Sequence, residues 1–250
     1  MANSTVNPLS IVSRPLPQYT PDQMEAIPRL GRYREQIVQP LWSTLHSLAD
    51  EGSFFIATNP TPGTAIAAAL NAAVSETAGY YWLLKNNDVQ GAPGAKRAYL
   101  SYLRLIQGGT VPASATAGHF FLKLDTIPRY TSGGTQLTPV NVNGDANTTS
   151  IAQTYAGALT TAAAGASARL LARGVLRSVI PVINDEWILV AGGNEAANSG
   201  ALSGAAALRM SIAIPPIVLA PQQTLGLQLW FPGNAVTAGT FELEAGWWER

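Results

Sequence analysis

Side chains that commonly carry acid–base or metal chemistry are scarce in this chain. It has two histidines, His46 and His119, and no cysteine. A catalytic zinc site usually has three protein ligands, so two histidines do not complete one. Without cysteine, disulfides, thiolate nucleophiles and cysteine-ligated zinc or iron–sulfur centres are excluded. The sequence therefore predicts no metal site.

Carboxylates are the remaining candidates for catalysis. Glu242 and Glu244 share one face of a predicted strand, at a spacing that would suit the acid and base of a glycosidase. A solvated strand face shows the same alternation, and nothing local would make one glutamate the acid and the other the base. His119 and Asp125 also share a strand face, but at about 3.3 Å per residue they lie about 20 Å apart. We expect no catalytic residues and no enzymatic activity, with a β-sandwich glycoside hydrolase or lyase using Asp125 or Glu244 as a less favoured alternative.

Signatures of phosphate and nucleic-acid binding are also missing. Neither GxGxxG nor GxxxxGK[ST] occurs, so no loop is expected to hold a nucleotide cofactor. Fifteen basic residues balance fifteen acidic ones, and charged residues make up 12% of the chain. Packaging nucleic acid requires a basic surface, so nucleic acid is not an expected partner. A net charge near zero removes the self-repulsion that keeps copies apart, which favours assembly.

A membrane is not an expected partner either. The first residues, MANSTVNPLSIVSRPLPQYT, lack the apolar stretch of a secretory signal. No run of about 18 apolar residues could cross a bilayer. We expect a protein that is made soluble in the cytoplasm.

Residues 1–52 form the first predicted domain, an N-terminal arm with a helical segment. Frequent prolines predict an extended arm over 1–19. Thr20, Pro21 and Gln23 then predict the start of a helix. From residue 30 onward, apolar side chains recur every three or four residues and form one helical stripe, which Pro40 kinks or divides. We expect this stripe to be an interface, and packing against the chain's own β body is the alternative. Its interface residues are Leu30, Tyr33, Ile37, Leu41 and Leu45.

Residues 53–250 form the second predicted domain. Short runs rich in β-branched and aromatic residues alternate with clusters of Gly, Pro, Asn and Ser. Ten or more strands without intervening helices predict a mostly antiparallel, all-β sandwich or barrel. In the last strand Phe241, Leu243 and Ala245 alternate with Glu242 and Glu244. The three apolar residues are therefore predicted to face the core, and the two glutamates to face solvent.

Trp247 and Trp248 are adjacent in this last strand, so they must face opposite sides of the sheet. One of them can enter the core, and the other needs a partner. Because tryptophan is enriched at interface hot spots, we expect a neighbouring subunit to cover it. Either tryptophan can be the outward one, so both are predicted interface residues. Together with a low-charge surface rich in Ala, Gly and Ser, they predict a homotrimer.

A family resemblance appears in the run from Ile214 to Arg250, IPPIVLAPQQTLGLQLWFPGNAVTAGTFELEAGWWER. It resembles the C-terminal strands of jelly-roll structural proteins encoded by tailed bacteriophages. In these, a P-P-x-V-x-x-P-Q entry precedes an LxLWxP strand and a terminal GWWER. The segments FFIATNPTPGTAIA at 54–67 and RYTSGGTQLTPVNVN at 129–143 are similar to such sequences as well. The resemblance covers most of 53–250.

The resemblance implies a capsid cement or decoration protein, typically a trimer of jelly rolls seated on an icosahedral shell. With the strand and helix patterns, the expected fold is an antiparallel jelly-roll-like sandwich with an N-terminal extended arm and short helices. The expected partners are the major capsid protein and the chain itself. The expected location is the capsid exterior of a virion, after assembly in the host cytoplasm.

Two other structural roles fit the same architecture. One is a receptor-binding or fibre-head domain that recognises surface glycans through exposed aromatic side chains and loops. The other is the major coat protein of a small virus. Charge disfavours the coat protein, because such coats commonly carry a basic arm, whereas residues 1–52 hold four arginines against five acidic residues.

Overall fold

Runs of alternating apolar and polar residues after Gly52 form strands in the computed structural model. The structure describes residues 48–68, 73–75, 77–111, 118–165, 168–177, 182–192, 208–232 and 239–250. Residues 48–50 are helical, and Gly52, at a φ of 67°, donates a backbone hydrogen bond to the Ala49 carbonyl, as expected of a helix stop. The strands within the described residues are β1 (Phe54–Thr58), β2 (Ile66–Ala67), β3 (Ala78–Asn86), β4 (Ala98–Gln107), β5 (Gly118–Asp125), β6 (Tyr130–Leu137), β7 (Val140–Asn141), β8 (Ala152–Thr161), β9 (Arg169–Arg177), β10 (Glu186–Ala191), β11 (Leu208–Ile214), β12 (Ile217–Leu219), β13 (Thr224–Trp230) and β14 (Thr240–Glu249).

These strands form two sheets. The first has eight strands in the order β11-β10-β4-β14-β1-β7, with β12 paired to β4 and β2 paired to β14. The second has six strands in the order β6-β8-β3-β13-β5-β9. The strand pairs are antiparallel, apart from the parallel pair of β10 and β11. The prediction of an all-β, mostly antiparallel fold is confirmed.

The inner faces of the two sheets share one hydrophobic core. Tyr81 of the six-stranded sheet meets Phe241 of the eight-stranded sheet edge to face, with ring centroids 5.5 Å apart. The Tyr81 hydroxyl also donates a 2.8 Å hydrogen bond to the Phe241 carbonyl. This bond satisfies a polar group that would otherwise be buried without a partner. The largest fully buried side chains include Trp82, Trp187 and Trp247.

Strand β14 occupies the centre of the eight-stranded sheet and shows the predicted alternation. Its inward residues Phe241, Leu243 and Ala245 are buried, whereas Glu242 and Glu244 are partly exposed on the opposite face. In β13 the outer face is not uniformly solvated. Gln228 is fully buried there, and its side-chain amide donates a 3.0 Å hydrogen bond to the Ser75 carbonyl.

The end of β14 is fixed by a buried carboxylate. Glu249 is 3% exposed and accepts hydrogen bonds from the Ser150 hydroxyl, the Trp247 indole N–H and the backbone N–H groups of Ile151 and Ala152. A buried charge without such donors would be costly. Glu249 therefore holds the Trp247 ring in the core while joining β14 to the segment that leads into β8.

We predict that Trp247→Ala lowers the free energy of unfolding by about 3–5 kcal/mol, because it empties a fully buried site and removes a donor from Glu249. Trp248→Ala is the matched control. Its ring lies partly exposed on the outer face, so the expected loss is about 1 kcal/mol. Chemical denaturation of both variants measures the difference. Equal midpoints for the two would contradict the assignment of Trp247 to the core.

A second prediction concerns alkaline pH. Burial, and secondarily the charge of Glu242, raise the pKa of Tyr81 well above its ordinary value of about 10. Above pH 10 Tyr81 therefore loses its proton in the unfolded chain but keeps it in the folded chain. The contribution of Tyr81 to the free energy of unfolding is fully present below pH 10 and falls as pH rises above it. In Tyr81→Phe this fall should be shallower by about 1.4 kcal/mol per pH unit. Denaturant titrations between pH 9 and 11.5 test this, and an unchanged slope would contradict it.

Candidate interaction face

The outer face of the eight-stranded sheet carries an apolar row that crosses five strands. In register, Val218 of β12 lies beside Tyr99 of β4, Tyr99 beside Trp248 of β14, and Trp248 beside Phe54 of β1. The backbone N–H of Val142, at the end of β7, donates to the Phe54 carbonyl at 3.2 Å and extends the line. We call these five residues the first row. Cross-strand neighbours of this kind contact each other directly.

Much of the first row is open to solvent. Val218 is 36% exposed and Val142 is 39% exposed, and the rings of Tyr99 and Trp248 are partly exposed. The two rings stack face to face with centroids 3.8 Å apart and planes at 3°. The result is a flat apolar platform at one end of an accessible sheet face.

A second apolar row lies beside the first. It consists of Tyr102, Gly246, Ile56 and Val140, in that order across β4, β14, β1 and β7. Gly246 has a structural reason to be glycine, because a Cβ there would lie 2.3 Å from Cε1 of Tyr102. The Tyr102 ring thus lies across the β14 backbone, and Val140 is 57% exposed at the far end of the row.

Charged side chains fill the other half of the same face. Arg104 forms an ion pair with Glu186 through its Nε, and its guanidinium lies 3.5 Å from Oε2 of Glu244. The Tyr102 hydroxyl donates a 2.5 Å hydrogen bond to Oε1 of Glu244. Partial burial, and then the hydrogen bond to Glu244, raise the pKa of Tyr102 above its ordinary value, so it stays a donor across neutral pH. The ion pair with Glu186 likewise raises the pKa of Arg104.

These charges border a groove of about 240 Å³. Its lining residues are Thr58, Asn59, Pro62, Arg104, Ile106, Glu242, Leu243 and Glu244. Arg104 pairs with Glu186 and Glu244, and Glu242 lines the same groove, so the described side chains of this half of the face carry more acidic than basic groups. The face as a whole has one apolar half and one acidic half, and protein-binding surfaces likewise combine an apolar area with polar groups beside it.

Of the groups weighed for catalysis, Glu242 and Glu244 line the same groove, whereas His119 and Asp125 lie in the other sheet. His119 stacks on Trp230 in the six-stranded sheet, with ring centroids 5.1 Å apart, whereas the groove belongs to the eight-stranded sheet. Asp125 forms a buried ion pair with Arg129 at 3.1 Å and caps the N–H of Gly165. Glu244 belongs to the other sheet, where Tyr102 and Arg104 hold it. His46 lies outside the described residues.

The predicted interface residues fall into three groups. Leu30, Tyr33, Ile37, Leu41 and Leu45, with the predicted arm over 1–19, lie outside the described residues. Trp247 is 0% exposed within its own chain, so its contacts are intramolecular. Trp248 lies in the middle of the first row, where its ring keeps an accessible surface, and its interface role stays a prediction.

Sequence reasoning missed most of the face around Trp248. The segment AYLSYLRLI shows alternation, which could have assigned Tyr99 to an outer position. The pairing register of β4 with β14, however, shifts between Gly246 and Trp247 of β14. This bulge brings Tyr102 and Tyr99, three residues apart, onto the same face. Val218 lies more than a hundred residues from its partner Tyr99, and Phe54 lies more than a hundred residues from its partner Trp248, so only strand pairing reveals these neighbours.

Several kinds of site can be judged on the described residues. No three His, Asp or Glu side chains among them converge on a position where a metal ion could be held. No helix in that part of the chain has the length and apolar character needed to span a membrane. Comparison of the chain with protein families, with characterised proteins and with solved structures returned no match.

We predict that Gly246→Ala displaces the Tyr102 ring and lowers the free energy of unfolding by about 1–3 kcal/mol, because the new methyl group overlaps the ring. Gly109→Ala is the matched control, since a Cβ at Gly109 meets nothing within 4 Å. Thermal melts compare the two. Tyrosine ultraviolet absorbance as pH rises reports whether Tyr102 still bonds Glu244. If Gly246→Ala behaves like the control, the packing of Tyr102 across β14 is wrong.

Proposed function

We propose that this chain is a virion structural protein, a cement or decoration protein that binds and stabilises an icosahedral phage shell from the outside. The observation that carries the proposal is the pair of apolar rows on the outer face of the eight-stranded sheet. The shared core of the described residues lies between the inner faces of the two sheets, and neither row belongs to it. An accessible apolar patch centred on stacked Trp and Tyr rings is typical of a surface buried by another protein.

Several finer features belong to the same proposal. The two sheets are arranged as a jelly-roll-like sandwich, and residues 1–52 form an arm and helical segment that adds a second grip on the shell. Three copies associate, and the major capsid protein is the other partner. Assembly takes place in the host cytoplasm and ends with the protein on the capsid exterior. The family resemblance of 53–250 supports the jelly-roll sandwich, the trimer and the place on the capsid. The role of residues 1–52 rests on their prolines and apolar stripe alone, and the charge balance of the chain supports assembly.

A fibre-head domain that recognises surface glycans is the second candidate, and a specific observation favours it. The outer face of the six-stranded sheet also carries aromatic rings. Tyr130 and Tyr155 stack at 3.8 Å, and both are partly exposed. Aromatic faces of this kind can stack on sugar rings. The two candidates differ in copy number per virion, which is in the hundreds for a cement protein and a few tens at most for a fibre head.

We predict that Val218→Asp and Val142→Asp each abolish most binding to empty shells of the virus that encodes the chain. A carboxylate in the first row would have to be desolvated when the shell covers it. Both valines are more than a third exposed, so the substitutions should leave folding intact. Sedimentation of protein mixed with shells measures the bound fraction.

Val89→Asp is the control for this experiment. Val89 is 65% exposed and lies outside both rows, so its variant should bind shells like the wild type. The proposal fails if the wild type does not sediment with shells. The role of the first row fails if the row variants bind as well as Val89→Asp does.

A further inference from the structure

The two sheets carry opposite charge although the chain as a whole is neutral. The strands of the six-stranded sheet hold five basic residues and one acidic residue, and those of the eight-stranded sheet hold two basic residues and four acidic ones. The first set is Lys85, Lys123, Arg169, Arg173, Arg177 and Asp125, and the second is Arg104, Arg209, Glu186, Glu242, Glu244 and Glu249. Charge is therefore separated from one side of the sandwich to the other.

The positive charge is concentrated at one border of the six-stranded sheet. Among the described strands, β9 is at the edge there and pairs with β5 only. Arg169 and Arg173 are exposed on β9, and neither forms an ion pair with a described residue. Two apolar side chains of the same strand are exposed with them, Leu170 at 59% and Val175 at 39%. Lys123 of β5 lies in register with Leu170. We call this set the basic edge.

The basic edge matches the face of the other sheet in two respects. Its arginines complement the carboxylates near Arg104, and its exposed Leu170 and Val175 complement the second apolar row, which adjoins the acidic half through Tyr102. Within the acidic half, Glu242 has no hydrogen bond or ion pair to a described residue, whereas Glu186 and Glu244 share Arg104. Glu242 is thus the carboxylate with most to gain from an incoming guanidinium.

We infer that a second copy of this chain docks head to tail, with its basic edge against the acidic half of the outer face of the eight-stranded sheet. The alternative of two like faces meeting about a two-fold axis brings carboxylates towards carboxylates, or arginines towards arginines, which opposes association. A head-to-tail contact repeats from copy to copy and either closes into a ring or continues as an open chain. A ring is the form that the proposed trimer would take.

This inference deepens the proposed function, because it specifies how copies of the shell-binding protein contact one another. It does not depend on the shell, since the contact can be measured with the purified full-length chain. The apolar first row, at the other end of the same face, is the part assigned to the shell.

Charge reversal tests the contact. We expect Glu242→Lys and Arg173→Glu each to raise the dissociation constant of the oligomer about tenfold, because each places like charges in the contact. The double variant exchanges the two charges and should return the dissociation constant to within about threefold of the wild type. Sedimentation velocity over a concentration series gives the constants, and association of the wild type should weaken as salt is raised.

The controls are reversals outside both surfaces, Glu51→Lys and Lys96→Glu, which are exposed and should associate like the wild type. Thermal melts confirm that each variant is folded. A monomeric wild type at tens of micromolar overturns the inference, and so do single reversals that associate like the controls or a double variant weaker than both singles.

Shell binding separates this result from the proposed function. If the chain sediments with shells but the reversals leave its association unchanged, the head-to-tail contact is wrong and the shell role stands. If the reversals act as expected but no variant binds shells, the contact stands and the shell role is wrong.

Discussion

Every second residue of β14 faces the core, and the other features of this structure depend on that alternation. Strand β14 pairs with β4 over nearly its whole length and with β1 over half of it, so its orientation sets that of both neighbours. Trp247 anchors the inward set, because its indole N–H bonds the buried carboxylate of Glu249 while its ring packs near Phe55. Shifting the register of β14 by one residue would expose Trp247 and leave the Glu249 carboxylate without its hydrogen-bond donors.

The outer face follows from the same constraint. With Trp247 inside, Trp248 must be outside, and strand pairing places Tyr99 and Phe54 on either side of it. Gly246 leaves room for the Tyr102 ring, whose hydroxyl then reaches Glu244 and links the apolar half of the face to the charged half. A surface divided in this way suits an assembly protein, since the apolar area supplies affinity and the charges select register and partner.

Net charge alone hides the electrostatics of this chain. Equal numbers of acidic and basic residues indicate a surface that attracts neither acidic nor basic partners over long distances. The topology instead sends the arginines of β9 to one sheet and the glutamates of β10 and β14 to the other. A neutral chain can therefore present two surfaces of opposite sign, and it can use one to approach copies of itself while an apolar patch is left for a different partner. This arrangement would suit the self-association and the shell binding that are proposed above.

The sequence by itself determined the all-β class and the inward set of β14, because a two-residue period is local and can be counted along the chain. Mostly antiparallel pairing followed from strands without helices between them, since parallel neighbours need long crossover connections. It also determined that Trp247 and Trp248 face opposite sides. Which of the two enters the core was decided by tertiary structure, through the Glu249 carboxylate and the strand segment before β8 that it also bonds. The sequence likewise did not reveal that Gln228 is buried or that β11 pairs in parallel with β10, since each feature depends on residues distant in the chain.

The interaction face was also decided by tertiary structure. Val218, Tyr99, Trp248 and Phe54 become neighbours only when four separate strands align, because hydrogen-bond register, and not sequence spacing, sets which side chains meet across a sheet.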